Sequence, residues 1–184
     1  MTISHETAGV MGIQERKERE FLRREQEILD AALKLFRRDD WQAVTVEQIA
    51  DRAEIGKGTV YKHFASKDEI YARLAADFQK RSLEKLERID PTLPVLQRLR
   101  MIIAIFWEQH MEGNEYQHLV QYCERDDFRK SLAPEAQSEL AQLDARFQAY
   151  IDALLEEGIA QGILPRKPRE ALIFGAVAAL NGAT

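Results

Sequence analysis

Cysteine and long apolar runs are scarce in this sequence, and each shortage excludes a class of protein. Cys123 is the only cysteine, so neither an internal disulfide nor a cysteine-based zinc cage can form, and a cytoplasmic location is expected. The longest weakly polar stretch, residues 171–184, is too short to span a bilayer, so no membrane partner is expected. No basic segment followed by an apolar run opens the chain, so no secretory signal is expected either.

An excess of positive charge is also lacking, which argues against a protein that coats nucleic acid with its whole surface. The 184 residues carry a net charge of −5, and the 45% apolar and 31% charged fractions are typical of one or two small helical domains. Residues 14–67 hold 12 basic and 11 acidic side chains, whereas residues 68–184 hold 14 basic and 19 acidic ones. The basic side chains are therefore biased toward the N-terminal part.

Apolar residues recur at helical spacing along most of the chain, and no segment alternates as a strand does, so the predicted fold class is all-α. Ile28, Ala32 and Phe36 share one face of the first amphipathic helix. Before it, residues 14–27 hold five basic and five acidic residues and predict either an exposed helical extension or an arm that faces DNA. Residues 1–13 lack periodicity and predict a flexible arm. Further helices are predicted over residues 66–88, 94–112, 115–125, 134–161 and 168–184, and the helix over 94–112 is expected to bury Leu96, Leu99 and Ile103 on one face.

A short polar segment, "IGKGTVYKHFASKDE" (55–69), separates two of these helices. Thr45 and Gln48 have the spacing of a capping box, which starts a short helix before this segment. Val60 and Phe64 lie four residues apart and can fix a second short helix to a core. Its other face then presents Lys, Thr, Tyr and Lys side chains. Two short helices joined by a tight turn, the second with exposed groups for hydrogen bonds and phosphates, predict a helix-turn-helix that enters the major groove of DNA.

Three stretches resemble the DNA-binding domain of the TetR-type (TetR/AcrR) transcriptional regulators: "ILDAALKLF" (28–36), "VTVEQIADRA" (44–53) and "GKGTVYKHFASKDEIY" (56–71). The resemblance implies an arm with a helical extension over residues 1–21, a three-helix domain over 22–82 with its helix-turn-helix at 45–64, and a helical ligand-binding and dimerisation domain over 83–184. It also implies contacts to DNA, mostly to phosphates, from Thr45, Lys57, Gly58, Thr59, Tyr61, Lys62, His63 and Lys67.

The sequence departs from the family pattern at three places. Glycine is usual where Asp40 and Glu54 stand, and left-handed geometry at Glu54 would be mildly strained. Gly56 replaces the usual serine or threonine cap of the recognition helix. The resemblance also implies one more helix beyond Thr184, so either the sequence is truncated or the dimer surface is smaller than usual.

Several side chains have a structural interpretation as well as a functional one. His63 is either a structural histidine or a DNA contact. Lys67 either only starts the next helix or binds a phosphate; a lysine is unfavourable beside a helix N-terminus, so the phosphate partner is preferred. Cys123 is either a small buried hydrophobe or a redox sensor. His110, Glu112, Glu115 and His118 cluster near a helix break. Their spacing does not define a metal site, so solvated helix ends are preferred, and no metal or cofactor is expected.

The predicted function is a repressor that binds a palindromic operator as a homodimer and is released by a small hydrophobic effector. The alternative is a constitutive or activating regulator without an effector. An enzyme is not predicted, because the sequence has no glycine-rich phosphate loop, nucleophile elbow or HExxH motif. Aromatic and aliphatic positions on inward faces predict an effector pocket lined by Phe78, Leu99, Ile103, Phe106, Trp107, His110, Tyr122 and Phe147. The predicted dimer interface contains Phe147, Ile151, Leu154, Leu155, Gly175, Ala176 and Ala179.

Overall fold

The structure, a computed structural model, describes the backbone of residues 4–38, 40–111, 115–123, 125, 127–173 and 175. Their side chains are described as well, except those of residues 4–11, 110, 111, 116 and 117. The described residues form helices and no strand, so the all-α prediction is confirmed. The helices are α1 (Ser4–Phe36), α2 (Val46–Arg52), α3 (Lys57–His63), α4 (Lys67–Glu87), α5 (Val95–Met111), α6 (Glu115–Cys123), α7 (Phe128–Ser131) and α8 (Pro134–Ala160).

The chain divides into two compact units, residues 1–70 and residues 71–184. In the first unit, the C-terminal half of α1 packs against α2, and α2 packs against α3. The apolar faces predicted from helical spacing meet here. The core of this unit includes Ile28, Ala32, Phe36, Trp41, Ile49, Val60, Phe64 and Ile70, each less than a tenth exposed. This small core fixes the two helices of the helix-turn-helix.

The first helix is longer than the sequence predicts. The backbone is helical from Ser4, whereas a flexible arm was expected through residue 13. Helix formation is cooperative: once a helix is nucleated downstream, each further residue adds one hydrogen bond, so a segment without an apolar stripe can extend it. The side chains of residues 12–23 are exposed, which agrees with the predicted helical extension.

The turn between α2 and α3 contains the strained residue that the sequence predicts. Glu54 has a φ of 57°, and it is the only non-glycine residue with positive φ in the described part of the chain. The amide of the next residue, Ile55, donates to the carbonyl of Ala50 at 3.0 Å, which closes the end of α2. The left-handed residue therefore turns the chain from α2 into α3.

In the second unit, α5 packs against α8 around an apolar cluster. The cluster consists of Leu86, Ile89, Val95, Ile102 and Leu154, with Leu99, Ile105, Phe106, Phe147, Tyr150 and Ile151 partly buried against it. The hydroxyl of Tyr150 donates to the carbonyl of Leu86 at 2.8 Å, and this bond links α8 to the end of α4. None of the described helices is both long enough and apolar enough to cross a bilayer.

The inward face of α5 differs from the prediction. Leu96 is 46% exposed and Ile103 is 39% exposed, although both were expected to be buried with Leu99. The buried stripe passes instead through Val95 and Ile102. This helix carries apolar residues around most of its circumference, so periodicity alone allows two overlapping stripes, and packing against α8 selects one of them.

The remaining helices agree with the predicted order, with one addition. The long helix α8 begins at Pro134 as expected and ends before Gly162, whose φ of 71° suits a glycine after a helix. The one-turn helix α7 was not predicted. Residues 169–173 are helical, as expected for the start of the last helix, but most of that predicted helix lies outside the described residues.

Candidate nucleic-acid interface

The recognition helix α3 is anchored by two apolar side chains and presents polar ones on its other face. Val60 is fully buried and Phe64 is 6% exposed, four residues apart as predicted. Tyr61 is 46% exposed, although it is a large aromatic residue. Lys57, Gly58 and Lys62 are exposed as well, and Thr59 is half-buried. These residues therefore form one solvent-facing surface on a helix that cannot rotate without uncovering its anchors.

Thr45 begins α2 with the predicted capping box. Its hydroxyl accepts from the amide of Gln48 at 3.2 Å, and its own amide donates to Oε1 of Gln48 at 2.9 Å. The hydroxyl acts as an acceptor in this box, so its proton can still be donated to a phosphate oxygen. The box fixes the orientation of the Thr45 side chain at the exposed start of α2.

Lys57 forms an ion pair with Glu47 of α2, which sequence reasoning missed. The ammonium group donates to the Glu47 carboxylate, and it also lies 5.8 Å from the centre of the Tyr61 ring. The hydrogen bond lowers the pKa of Glu47 and raises the pKa of Lys57. Both side chains are about half exposed, so the pair adds little to stability. A phosphate would compete with Glu47 for the ammonium group.

Lys67 has hydrogen-bond partners inside the protein, and its predicted phosphate contact stays a prediction. Its Nζ donates to the carbonyl of Val44 at 2.8 Å and to that of Gln42 at 3.3 Å. These carbonyls belong to the turn that immediately precedes Thr45. A lysine beside a helix N-terminus is thus stabilised by two backbone acceptors. These two bonds tie Lys67 to the turn that precedes Thr45.

His63, at the end of α3, packs against Phe21 of α1 with the ring centres 4.1 Å apart. Its Nδ1 is buried and has no hydrogen-bond partner. Burial lowers the pKa of His63, so the ring is neutral at pH 7. The structural interpretation therefore accounts for the position of the ring. Phe21 was not singled out from the sequence, because it belongs to the charged stretch of α1.

Ser66 caps the start of α4. The amide of Glu69 donates to the hydroxyl of Ser66 at 3.2 Å, but the Glu69 carboxylate accepts from the amide of Ala65 at 2.7 Å. Glu69 therefore reaches one residue further back than in a standard capping box. This pair of bonds ties the two residues before Lys67 to the first turn of α4.

The second unit contains a partly open cavity of about 240 Å³ between its helices. The cavity is lined by Ala75, Phe78, Gln79, Ser82, Phe106, Leu119, Val120, Cys123, Arg129 and Phe147. Phe78, Phe106 and Phe147 were predicted pocket residues. Cys123 lines the cavity and is half-buried, so it is not the fully buried hydrophobe of the structural interpretation.

The other predicted pocket residues lie elsewhere. Leu99 packs against the apolar cluster of α5 and α8, and Ile103 faces solvent. Tyr122 is 4% exposed and stacks on Tyr71 with ring centres 3.5 Å apart. Trp107 is half-buried and does not line the cavity. The side chain of His110 lies outside the described residues. Gln79 and Arg129 also line the cavity and were not predicted, because the apolar periodicity of a helix does not mark polar positions.

The predicted dimer residues divide into three groups. Leu154 is 4% exposed within its own unit, so the expectation that it contacts a partner chain is wrong. Phe147, Ile151 and Leu155 are half-buried, and Gly175 is exposed. Ala176 and Ala179 lie outside the described residues. Leu154 was misplaced because a long amphipathic helix such as α8 uses its most regular apolar stripe for its own core first.

Among the described side chains, no three histidine, cysteine, aspartate or glutamate residues come together as a metal site. The side chain of His110 and the whole of Glu112, two members of the cluster that the sequence singled out, lie outside the described residues.

The anchored helix-turn-helix with its exposed lysines and tyrosine defines the class of protein, a helix-turn-helix DNA-binding protein. A family model described as bacterial regulatory proteins, tetR family, matches residues 28–74, which include α2, α3 and the start of α4. Residues 28–74 therefore match the DNA-binding domain of the TetR family, as the resemblance implied, and the relatives and solved structures that the chain is similar to include transcriptional regulators of this kind. Members of this family are DNA-binding regulators and not enzymes.

Two relatives and one solved structure illustrate the similarity. The chain is 25% identical over 138 residues to an uncharacterized HTH-type transcriptional regulator, YhgD, of Bacillus subtilis, covering 74% of this chain and 70% of the relative. It is 28% identical over 100 residues to the nicotine-responsive repressor HdnoR of Paenarthrobacter nicotinovorans, covering 54% of this chain and 51% of the relative. The fold is similar to that of the fatty acid degradation regulator FadR from Bacillus halodurans, with a TM-score of 0.66, 19% identity, and coverage of 87% of this chain and 84% of that one.

Proposed function

We propose that this protein is a transcriptional repressor that binds a palindromic operator as a homodimer and is released by a small, mostly apolar effector. The observation that carries the DNA-binding part is the exposed face of α3, where Lys57, Tyr61 and Lys62 stand on a helix anchored by Val60 and Phe64. A buried anchor with a cationic outer face suits a helix that lies in the major groove beside phosphates.

Direct contacts to DNA are assigned to the exposed residues of this surface. Lys57 and Lys62 contact phosphates or guanine acceptors, Tyr61 and Thr59 donate hydrogen bonds, and Thr45 donates its hydroxyl proton to a phosphate. A Cβ atom added at Gly58 would meet no atom of the protein within 4 Å, so internal packing does not require glycine there. Close approach of the DNA backbone would explain why position 58 has no side chain. His63 and Lys67 act mainly by holding α1 and the turn before Thr45.

A homodimer follows from the size of the recognition helix. The seven residues of α3 read only a few base pairs, and two copies related by a two-fold axis double the contacts. The half-site centres should lie about one helical turn, ~10 bp, or a multiple apart. Ile151 and Leu155 of α8 are half-buried apolar residues available for the dimer interface.

The effector part rests on the cavity in the second unit, which is lined mainly by apolar side chains. The relative HdnoR is named as a nicotine-responsive repressor, which supports regulation by a small molecule in this chain as well. The helix α4 starts with Lys67 beside the DNA-binding surface and continues to the cavity-lining residues Phe78 and Ser82. A ligand that contacts those residues would act on this helix. The coupling free energy between two binding sites is typically about 1–3 kcal/mol, and a coupling of that size between ligand and DNA binding would release DNA.

The test is selection of DNA by the protein itself. A random-sequence duplex library is incubated with the protein, and the retained fragments are sequenced and footprinted. Enrichment of a palindrome occupied by two chains supports the proposal, and a single unrepeated half-site would contradict the dimer. A gel shift of the selected duplex with candidate small molecules separates a ligand-released repressor from the alternative, a constitutive or activating regulator.

A further inference from the structure

One wall of the cavity in the second unit is a single face of α4. Ala75, Phe78, Gln79 and Ser82 are spaced at i, i+3, i+4 and i+7, which places them along one side of that helix. Phe106 and Phe147 lie elsewhere in the lining, with ring centres 5.8 Å apart at an interplanar angle of 79°. The cavity thus combines an aromatic part with a wall that carries an amide and a hydroxyl group.

The amide of Gln79 has only one chemically sensible orientation. Its Nε2 donates to Oδ1 of Asp144 at 2.7 Å, and the other oxygen of that carboxylate, Oδ2, accepts from Arg129 at 2.6 Å. If the amide were flipped, the Gln79 oxygen would face a carboxylate oxygen, which is repulsive. The Gln79 Oε1 is therefore an acceptor, and it is buried without a hydrogen-bond partner.

A second group of buried polar side chains lies beside the same wall. Gln109 is 5% exposed, and its Nε2 donates to the hydroxyl of Ser82 at 3.0 Å. That hydroxyl donates in turn to the carbonyl of Phe78 at 3.0 Å. The Oε1 of Gln109 is also buried without a partner. Two buried acceptors thus lack donors in this region, and each such group is costly to leave unsatisfied.

We propose that the cavity binds an uncharged ligand whose apolar part is comparable in size to an aromatic ring and which carries one hydroxyl or N–H donor. Gln79 recognises that donor. This inference rests on the proposed effector site and specifies its chemistry. A donor on the ligand satisfies Oε1 of Gln79, while the apolar body packs against Phe78, Phe106 and Phe147. Gln79 becomes the specificity-determining residue of the site.

The same groups disfavour an anionic ligand. Arg129 is the cation in the lining, and its charge is engaged by Asp144. A carboxylate in the cavity would meet unpaired oxygen acceptors and would lose its hydration in an apolar space. A ligand with only acceptor atoms cannot satisfy Oε1 of Gln79. The site therefore discriminates by hydrogen-bond donation more than by charge attraction.

The experiment compares three probes with the same propylphenyl body by titration calorimetry, without DNA present. The probe 4-propylphenol carries a donor, 4-propylanisole carries only an acceptor, and 4-propylbenzoate is an anion. We expect the phenol to bind about fivefold more tightly than the anisole, the worth of one typical hydrogen bond, and the benzoate to bind most weakly. Gln79→Leu should bring the phenol and the anisole to equal affinity.

Gln148→Leu, at an exposed position of α8, is the matched control and should leave the preference for the phenol unchanged. Thermal unfolding of each variant verifies that it is folded. The inference is overturned if the wild type binds the phenol and the anisole equally, or if it binds the benzoate most tightly. It is also overturned if the preference for the phenol survives Gln79→Leu, or if no probe binds. A different result separates the two proposals: the phenol is preferred through Gln79 but has no effect on DNA binding. That result would support recognition of the donor by Gln79 and would contradict release of DNA by that phenol.

Discussion

Lys62 and Lys67 carry the same charge within one short segment, but their surroundings give them different roles. Lys62 is exposed on α3, whereas Lys67 is bound to the carbonyls of Gln42 and Val44. A lysine that neutralises a phosphate releases counterions, so its loss lowers the salt dependence of DNA binding. A lysine that holds a turn affects DNA binding without changing the number of ions released.

The prediction is that Lys62→Met and Lys67→Met weaken DNA binding by different routes. Lys62→Met should lower the slope of log K against log salt by about one unit and leave stability unchanged. Lys67→Met should weaken binding with an unchanged slope, and it should lower the free energy of unfolding by about 1–2 kcal/mol because two backbone acceptors lose a charged donor. Fluorescence anisotropy at several salt concentrations and urea unfolding measure the two effects.

A double-mutant cycle gives an independent check of the role of Lys67. If Lys67 acts by positioning Thr45, Lys67→Met and Thr45→Ala should be strongly non-additive in DNA affinity, whereas Lys62→Met and Thr45→Ala should add. Additive effects at Thr45 and Lys67, together with a lower salt slope for Lys67→Met, would make Lys67 a direct phosphate contact.

His63 makes the stability of the first unit depend on pH. Burial against Phe21 lowers its pKa below the value of about 6.5 in the unfolded chain, with Arg24 and Lys62 acting in the same direction and Glu25 opposing them. Below pH 6.5 the unfolded chain binds a proton before the folded one does, so stability falls as the pH is lowered through this window. His63→Gln should remove this part of the pH dependence between pH 7.5 and 5.5 in urea unfolding. An unchanged pH profile in the variant would contradict a neutral ring whose Nδ1 is buried.

At the scale of elements, the turn after α2 stores strain in one residue. Glu54 has a φ of 57°, where a side chain costs about 1–2 kcal/mol relative to glycine. Glycine also gains entropy in the unfolded chain, which offsets about 0.5–1 kcal/mol of that difference. Glu54→Gly should therefore stabilise the protein by up to about 1 kcal/mol. Glu54→Ala, which removes the charge but keeps the strain, is the control and should not stabilise it; equal stabilisation by both would show that charge, not φ, is responsible.

The elements that the sequence predicts well are those fixed by local rules. The capping box at Thr45 and the anchors Val60 and Phe64 depend on spacing within one turn or two, and the structure contains them as predicted. The left-handed residue Glu54 followed from the glycine that the family usually has at that position. The prediction of α5 failed at Leu96 and Ile103, because its apolar residues surround the helix and only packing against α8 selects the buried stripe.

Tertiary partners of polar side chains were the least predictable part of the candidate site. The bonds from Lys67 to the turn before Thr45 and from Lys57 to Glu47 join residues 10 to 25 positions apart, and no local pattern marks them. The orientation of Gln79 likewise depends on Asp144, which lies 65 residues away in sequence. Such contacts require the assembled fold, since hydrogen bonds between distant side chains leave no periodic signal in the sequence.

At the scale of the whole molecule, the proposed repressor acts as two chains on one DNA site. Analytical ultracentrifugation at micromolar concentration is expected to give a dimer, and titration of the selected duplex should saturate at two chains per palindrome. The double variant Ile151→Glu/Leu155→Glu should weaken the dimer, because it places charges on half-buried apolar positions of α8. A monomer at that concentration that still binds the full palindrome with high affinity would contradict the assigned dimer.

The central claim, that the exposed face of α3 reads DNA, is tested most directly by the affinity of α3 variants for the duplex that the wild type selects. Tyr61→Ala and Lys62→Ala alter exposed side chains and leave the anchors Val60 and Phe64 in place, so both variants should fold as the wild type does. Each variant should lose about tenfold or more in affinity for the selected duplex, since a specific contact contributes about 1–3 kcal/mol. Wild-type affinity in the folded double variant would contradict the assignment of α3 as the recognition helix.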